Sequence, residues 1–173
     1  MSKDIMGIKK HKAVAPKKVS IGIVSVSSTR SLSDDKSGRW ISKRAKKEGH
    51  DVVTHRVVPD DAEAITETIR KLTNDGDTQV VLMTGGTGIS SKDVTIEAVR
   101  PLVTKELTAF GPLFAQLSFE QIDSAALLSR ATAGLIGKTV LFCIPGSLKA
   151  CKLACKFLIF PELGHIVKHV HED

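Results

Sequence analysis

The sequence contains no apolar run longer than Val140–Ile144, five residues where a bilayer-crossing helix needs roughly 18. No membrane-spanning helix is therefore expected, and the lysine-rich start lacks the apolar centre of a secretory signal. Cysteine is scarce too. Cys143, Cys151 and Cys155 are an odd number in apolar surroundings, which excludes a disulfide-stapled scaffold and fits reduced thiols in a cytoplasmic protein. Internal repeats are absent. At 173 residues and 42% hydrophobic content, a single domain can bury roughly 70% of its unfolded surface without metal or disulfide support.

The formal charge of +6 is not spread along the chain. Residues 1–18 hold six lysines against Asp4, whereas the other 155 residues carry 19 basic and 18 acidic groups. The expectation is a basic, disordered tail over 1–18 and a nearly neutral domain over 19–173. A solvated extension is the preferred reading of the tail over a nucleic-acid or anionic-surface arm.

From Val19 onward, strand and helix patterns alternate. Ser20–Val26 is β-branched and apolar; a helix follows from about Asp35–Ser37 through Trp40, Ile41 and Ala45 to Gly49. Val52–Val58 reads as a strand. Asp60 or Asp61 then caps a helix with Ala62, Ile65, Ile69 and Leu72 on one face. Gln79–Met83 has no polar alternation, as in a central parallel strand buried on both faces. Val94–Leu102 and Leu107–Ile122 read as helices, Gly134 and Gly137 as brackets of a turn, and Val140–Ile144 as another buried strand before a helix bearing Leu148, Cys151, Cys155 and Leu158. This alternation defines an α/β protein whose loops gather at the carboxyl ends of the strands.

Three polar loops follow buried strands. In Thr84-Gly85-Gly86-Thr87-Gly88, three glycines within four residues let backbone approach a ligand, and the next helix offers N–H groups to an anion. The run is neither a P-loop nor a dinucleotide fingerprint, and no Gly-x-Ser-x-Gly elbow is present. Asp93 and Asp60 are each either helix caps or, together, a carboxylate pair able to hold Mg²⁺ whose other ligands are water and phosphate. His165 and His169 stand four apart without a third ligand of metal-site quality, and read as surface histidines on a terminal helix. Cys151 and Cys155 read as small core residues.

In order and spacing, the loops resemble the MoaB/Mog family of molybdenum-cofactor biosynthesis proteins. The likeness rests on Ser25–Arg30 with Asp35-Lys36-Ser37-Gly38, on Val58–Asp61, on Thr84–Gly88 with Asp93-Val94-Thr95, on Leu128–Gly134 and on Pro145-Gly146-Ser147. It spans about Val19 to Val167. It implies a three-layer α/β/α sandwich around a mostly parallel sheet with one antiparallel strand, and a homo-oligomer, trimer or hexamer. It further implies Mg²⁺-dependent reaction of molybdopterin with ATP to give adenylyl-molybdopterin and pyrophosphate, the product passing to a downstream metal-insertion protein.

By the same likeness Asp60 and Asp93 form the catalytic, Mg²⁺-placing pair. Gly85, Gly86, Thr87 and Gly88 cradle phosphate; Ser27, Thr29, Ser129, Pro145, Gly146 and Ser147 line the pterin and its phosphate. Lys92 stands where many members carry arginine, a point charge in place of a fork. The Pro145–Ala150 ending is similar to the MoaB branch, some members of which bind the pterin without adenylylating it.

Overall fold

A computed structural model describes residues 15–172, so the part of the expected tail over 1–14 lies outside the described residues. Residues 15–18 lie on the body, where Lys18 Nζ is 2.9 Å from Asp51. Six strands form one sheet: β1 Ser20–Val26, β2 Asp51–Val58, β3 Val80–Thr84, β4 Lys105–Glu106, β5 Thr132–Ile136 and β6 Thr139–Ile144, in the order β2-β1-β3-β6-β5-β4. The pairs β1·β2, β1·β3 and β3·β6 are parallel, while β5 runs antiparallel to both its neighbours.

The period of two along the central strands divides the core. Ile21, Ile23, Val80, Leu82, Val140 and Phe142 face one layer; Val24, Val26, Val81, Met83, Leu141 and Cys143 face the other. The first layer holds α1 Lys36–Lys47, α4 Phe110–Ile122, α5 Leu148–Ala154, which passes into a π turn over Cys155–Ile159, and α6 Leu163–His171. The second holds α2 Ala62–Asn74 and α3 Thr95–Val99. The expected sandwich and mixed sheet are thus observed, and each fully buried Ile, Leu or Phe contributes about 1.5–3 kcal/mol of hydrophobic stabilisation.

Two local expectations are corrected, and one open alternative is decided. Gly134 is not at a turn but inside β5, opposite Leu141 and Glu106, and the turn to β6 lies at Gly137, whose φ is 58°. A Cβ on Gly134 would stand 2.5 Å from Val103 Cγ1 and 2.7 Å from the Lys105 carbonyl, so the missing side chain admits the edge strand β4. The helix expected from Leu107 begins at Phe110, because the Leu107 N–H continues the ladder to Ala133 O at 2.8 Å. Asp61, not Asp60, caps α2: its extended backbone lets the carboxylate accept from the Ala64 N–H at 2.8 Å.

Among the described residues no helix is long and apolar enough to cross a membrane. All three cysteines are buried and unpaired, as expected of core residues, and burial raises each thiol pKa above its ordinary value.

Candidate functional site

Because β1, β2, β3 and β6 run parallel, the segments that leave them emerge on one rim. Cross-links there fix the loops. Ser27 N–H donates to Val58 O at 2.8 Å, and Gly85 N–H to Ile144 O at 3.1 Å. The antiparallel β5 begins on this rim, so Ser129 reaches it from the opposite direction. Together the loops enclose an open crevice of about 420 Å³. Ser27, Asp60, Gly85–Gly88, Asp93, Ser129 and Pro145–Ser147 all line it. Thr29 does not: it is exposed beside the crevice, its N–H turned to Ser27 Oγ at 3.4 Å. Lys92 is also exposed and outside the lining.

The glycine run owes its shape to positive backbone angles. Gly85 and Gly86 have φ of 101° and 61°, in the left-handed region where a side chain is strained. A Cβ on Gly85 would also collide with the Val26 carbonyl. Behind the run, the buried Thr95 donates its Oγ1–H to Gly85 O and its N–H to Gly86 O, both at 2.9 Å.

The carboxylates flank this run at its two ends. A Cβ placed on Gly86 would lie 3.5 Å from Asp60 Oδ1, and one on Gly88 would lie 3.2 Å from Asp93 Oδ1. Neither aspartate is a helix cap. Asp60 Oδ2 accepts the Ser28 N–H at 2.7 Å while the Asp60 N–H donates to Ser28 Oγ at 2.9 Å, a reciprocal clasp between the β1 and β2 loops. α3 begins with Val94 as an uncapped N-terminus; Asp93 Oδ2 instead accepts from Ser90 Oγ at 2.6 Å and Ser90 N–H at 2.9 Å. Those bonds, aided by the Gly88 N–H and the Arg130 charge, hold the Asp93 carboxyl below the ordinary carboxylate range.

Two contributors have no role that the sequence alone assigns. Arg130 Nε donates to the carbonyls of Thr87 and Gly88, both at 3.0 Å, while its guanidinium pairs with Glu97. It staples the glycine run to α3. The second is Asp35, which is 1% exposed and caps α1. Its carboxylate accepts from Ser25 Oγ at 2.5 Å and Gly38 N–H at 2.9 Å, and its Oδ2 lies 2.7 Å from His55 Nε2. Burial opposes ionisation of Asp35, but these three partners outweigh it and lower its pKa. Gly38 leaves room for them, since a Cβ there would overlap Asp35 and His55. One turn into α1, Ser37 Oγ donates to Gly146 O at 2.9 Å, so this buried cluster anchors the third loop of the crevice. The signal for both residues is their place inside segments that carry the resemblance, Asp35–Gly38 and Leu128–Gly134; their roles depend on long-range partners.

The donor set is oxygen-rich and anionic beside the glycine backbone. No group of three or more His, Cys, Asp or Glu poised for a metal occurs among the described residues. Asp60 and Asp93 are the carboxylates of this rim that could hold Mg²⁺, which keeps several water and phosphate ligands.

Fold and crevice together define an α/β protein whose sheet carries, at its carboxyl edge, a rim of glycine backbone and carboxylates suited to a phosphate-bearing ligand. The family described as "Probable molybdopterin binding domain" matches residues 22–165, and the chain belongs to that family. It is 46% identical to molybdenum cofactor biosynthesis protein B of Bacillus cereus over 169 residues, covering 97% of this chain and all of the relative. The Bacillus subtilis protein of the same name is 43% identical over 97% of this chain and 99% of its own. A crystal structure of molybdenum cofactor biosynthesis protein B superposes with a TM-score of 0.89 at 46% identity, covering 92% of this chain and 99% of that one. The tungsten cofactor synthesizing protein MoaB of Pyrococcus furiosus superposes at 0.81 with 37% identity, over 90% and 99%.

Proposed function

We propose that this protein binds molybdopterin in the crevice and, with Mg-ATP, transfers an adenylyl group to its terminal phosphate. The observation that supports this reading is the convergence of Asp60, Asp93 and the Gly85–Gly88 run, with the Gly86 and Thr87 amides, on one rim. A phosphate oxygen of the pterin, already anionic at neutral pH, attacks the α-phosphorus of ATP. That bond forms as the bond from the α-phosphorus to the pyrophosphate oxygen breaks, and pyrophosphate leaves. No general base is required, so positioning and charge neutralisation carry the reaction. The glycine run orients phosphate through main-chain N–H groups, while Arg130 and Thr95 keep that run rigid. Asp60 and Asp93 would hold Mg²⁺, which supplies neutralisation of the polyphosphate.

A pterin-binding protein without turnover is the second reading, favoured by the Pro145-Gly146-Ser147-Leu148 ending. Pyrophosphate release from purified protein, molybdopterin and Mg-ATP separates the two. Turnover supports the enzyme, and tight pterin binding without release supports the binder. For the enzyme, Asp60→Asn and Asp93→Asn are expected to lower turnover at least 100-fold while shifting Tm by no more than a few degrees.

We also propose a trimeric or hexameric assembly in the cytoplasm. Exposed Leu113, Phe119, Ile122 and Leu127, the last 84% accessible, leave an apolar surface along α4 and the turn after it. Sedimentation of a monomer at micromolar concentration would contradict that assembly.

A further inference from the structure

Away from the crevice, the β5–β6 turn and the start of β4 border a second recess of about 480 Å³. Its remaining wall is α6, which brings His165 and His169 together. Spacing alone reads these as surface histidines; the structure makes them a pair. Their Nε2 atoms are 2.9 Å apart, on successive turns of one helix. Each ring is backed by a carboxylate: His165 Nδ1 lies 3.2 Å from Glu162 Oε2, and His169 Nδ1 lies 3.5 Å from Glu172 Oε2.

An ionised carboxylate accepts and does not donate, so the Glu162 contact favours an N–H at His165 Nδ1, while the hydrogen bond between the two Nε2 atoms needs one proton held between the rings. A divalent cation can take the place of that one proton, with an Nε2 lone pair of each ring directed at it. Tetrahedral Zn²⁺ with bonds of about 2.0–2.1 Å separates two ligand nitrogens by about 3.3 Å, which a small rotation of these rings provides. Carboxylates on the far nitrogens are the usual outer support of metal-bound histidine. Glu172 is held in turn by Lys168, whose Nζ lies 3.1 Å from Oε1. His165 and His169 side chains are 22% and 54% exposed, so a bound cation keeps water-filled positions.

We infer that His165 and His169 form an exchangeable two-imidazole site for a divalent transition cation, Zn²⁺, Ni²⁺ or Cu²⁺. Nitrogen ligands exclude Mg²⁺ and Ca²⁺ from it, and its place on α6 separates it from the Asp60–Asp93 rim. Leu163 and Val167 of the same helix are core residues, so clamping two turns of α6 makes the stability of the whole body metal-dependent.

The test uses the full chain, stripped by chelator and titrated with ZnCl₂, and separately NiCl₂, by calorimetry and thermal melting. One Zn²⁺ per chain is expected at micromolar affinity, with a raised Tm, and 1 mM MgCl₂ should not displace it. His165→Gln and His169→Gln should each weaken binding at least 10-fold and abolish the Tm increase. The pair Glu162→Gln with Glu172→Gln should weaken it about 10-fold with both rings intact. His171→Gln should leave it unchanged. The exposed His169→Gln variant and circular dichroism guard against a folding defect. Absence of saturable Zn²⁺ binding to the wild type, or equal affinity in folded His169→Gln, overturns the site.

Discussion

Arg130 shows how one side chain can set the form of a glycine loop. Its Nε serves two carbonyls that would otherwise lack this donor, and Glu97 fixes the plane of the guanidinium. Arg130→Ala is expected to cost about 1–3 kcal/mol in urea unfolding and to weaken molybdopterin binding by a larger factor than it weakens folding. Arg130→Lys should restore charge but not the fork, and so only part of the binding. Asp35 gives a prediction in pH. Its carboxyl ionises more readily in the folded protein than in the unfolded chain, so it stabilises the fold above about pH 4. That contribution fades as pH falls through the lower folded value. Unfolding midpoints of wild type and Asp35→Asn should therefore converge as pH drops from 5 toward about 2. A gap that is independent of pH would contradict the assignment.

The elements set by strong local chemistry are legible in the sequence. β3 and β6 are apolar without interruption, and α1 and α2 carry both a capping aspartate and a glycine beyond the last turn, Gly49 and Gly76, with φ of 91° and 75°. What escapes is the edge. β4 has two residues, too few for any periodicity, and β5 contains a glycine that the sequence alone assigns to a turn. The reason for that glycine is remote in the chain: Glu106 pairs opposite Gly134, and Val103 and the Lys105 carbonyl occupy the space a side chain would need. Gly134→Val is expected to force β4 off the sheet and to lower stability by about 1–3 kcal/mol in denaturant titration. Whether Asp60 or Asp61 caps α2 is likewise a matter of backbone angles that residue type does not determine.

At the scale of the molecule, three parallel pairings decide the location of the site, because they deliver four strand ends to one rim. The order and spacing of the segments that carry the resemblance make most of that rim readable: of the residues assigned to it, all but Thr29 and Lys92 line the crevice. The supports are not readable, since Arg130, Thr95 and Asp35 act through partners 10 to 43 positions away. The family is shared with proteins of molybdenum cofactor biosynthesis, and the chain's nearly full coverage of them leaves no large segment of theirs unmatched.

The structure of the complex with molybdopterin tests the central claim most directly. The terminal phosphate is expected within hydrogen-bond reach of the Gly86 and Thr87 amides, beside Asp60 and Asp93, with the pterin toward Ser129 and Pro145–Ser147. Molybdopterin bound elsewhere at full occupancy, with the glycine run left to solvent, would contradict it.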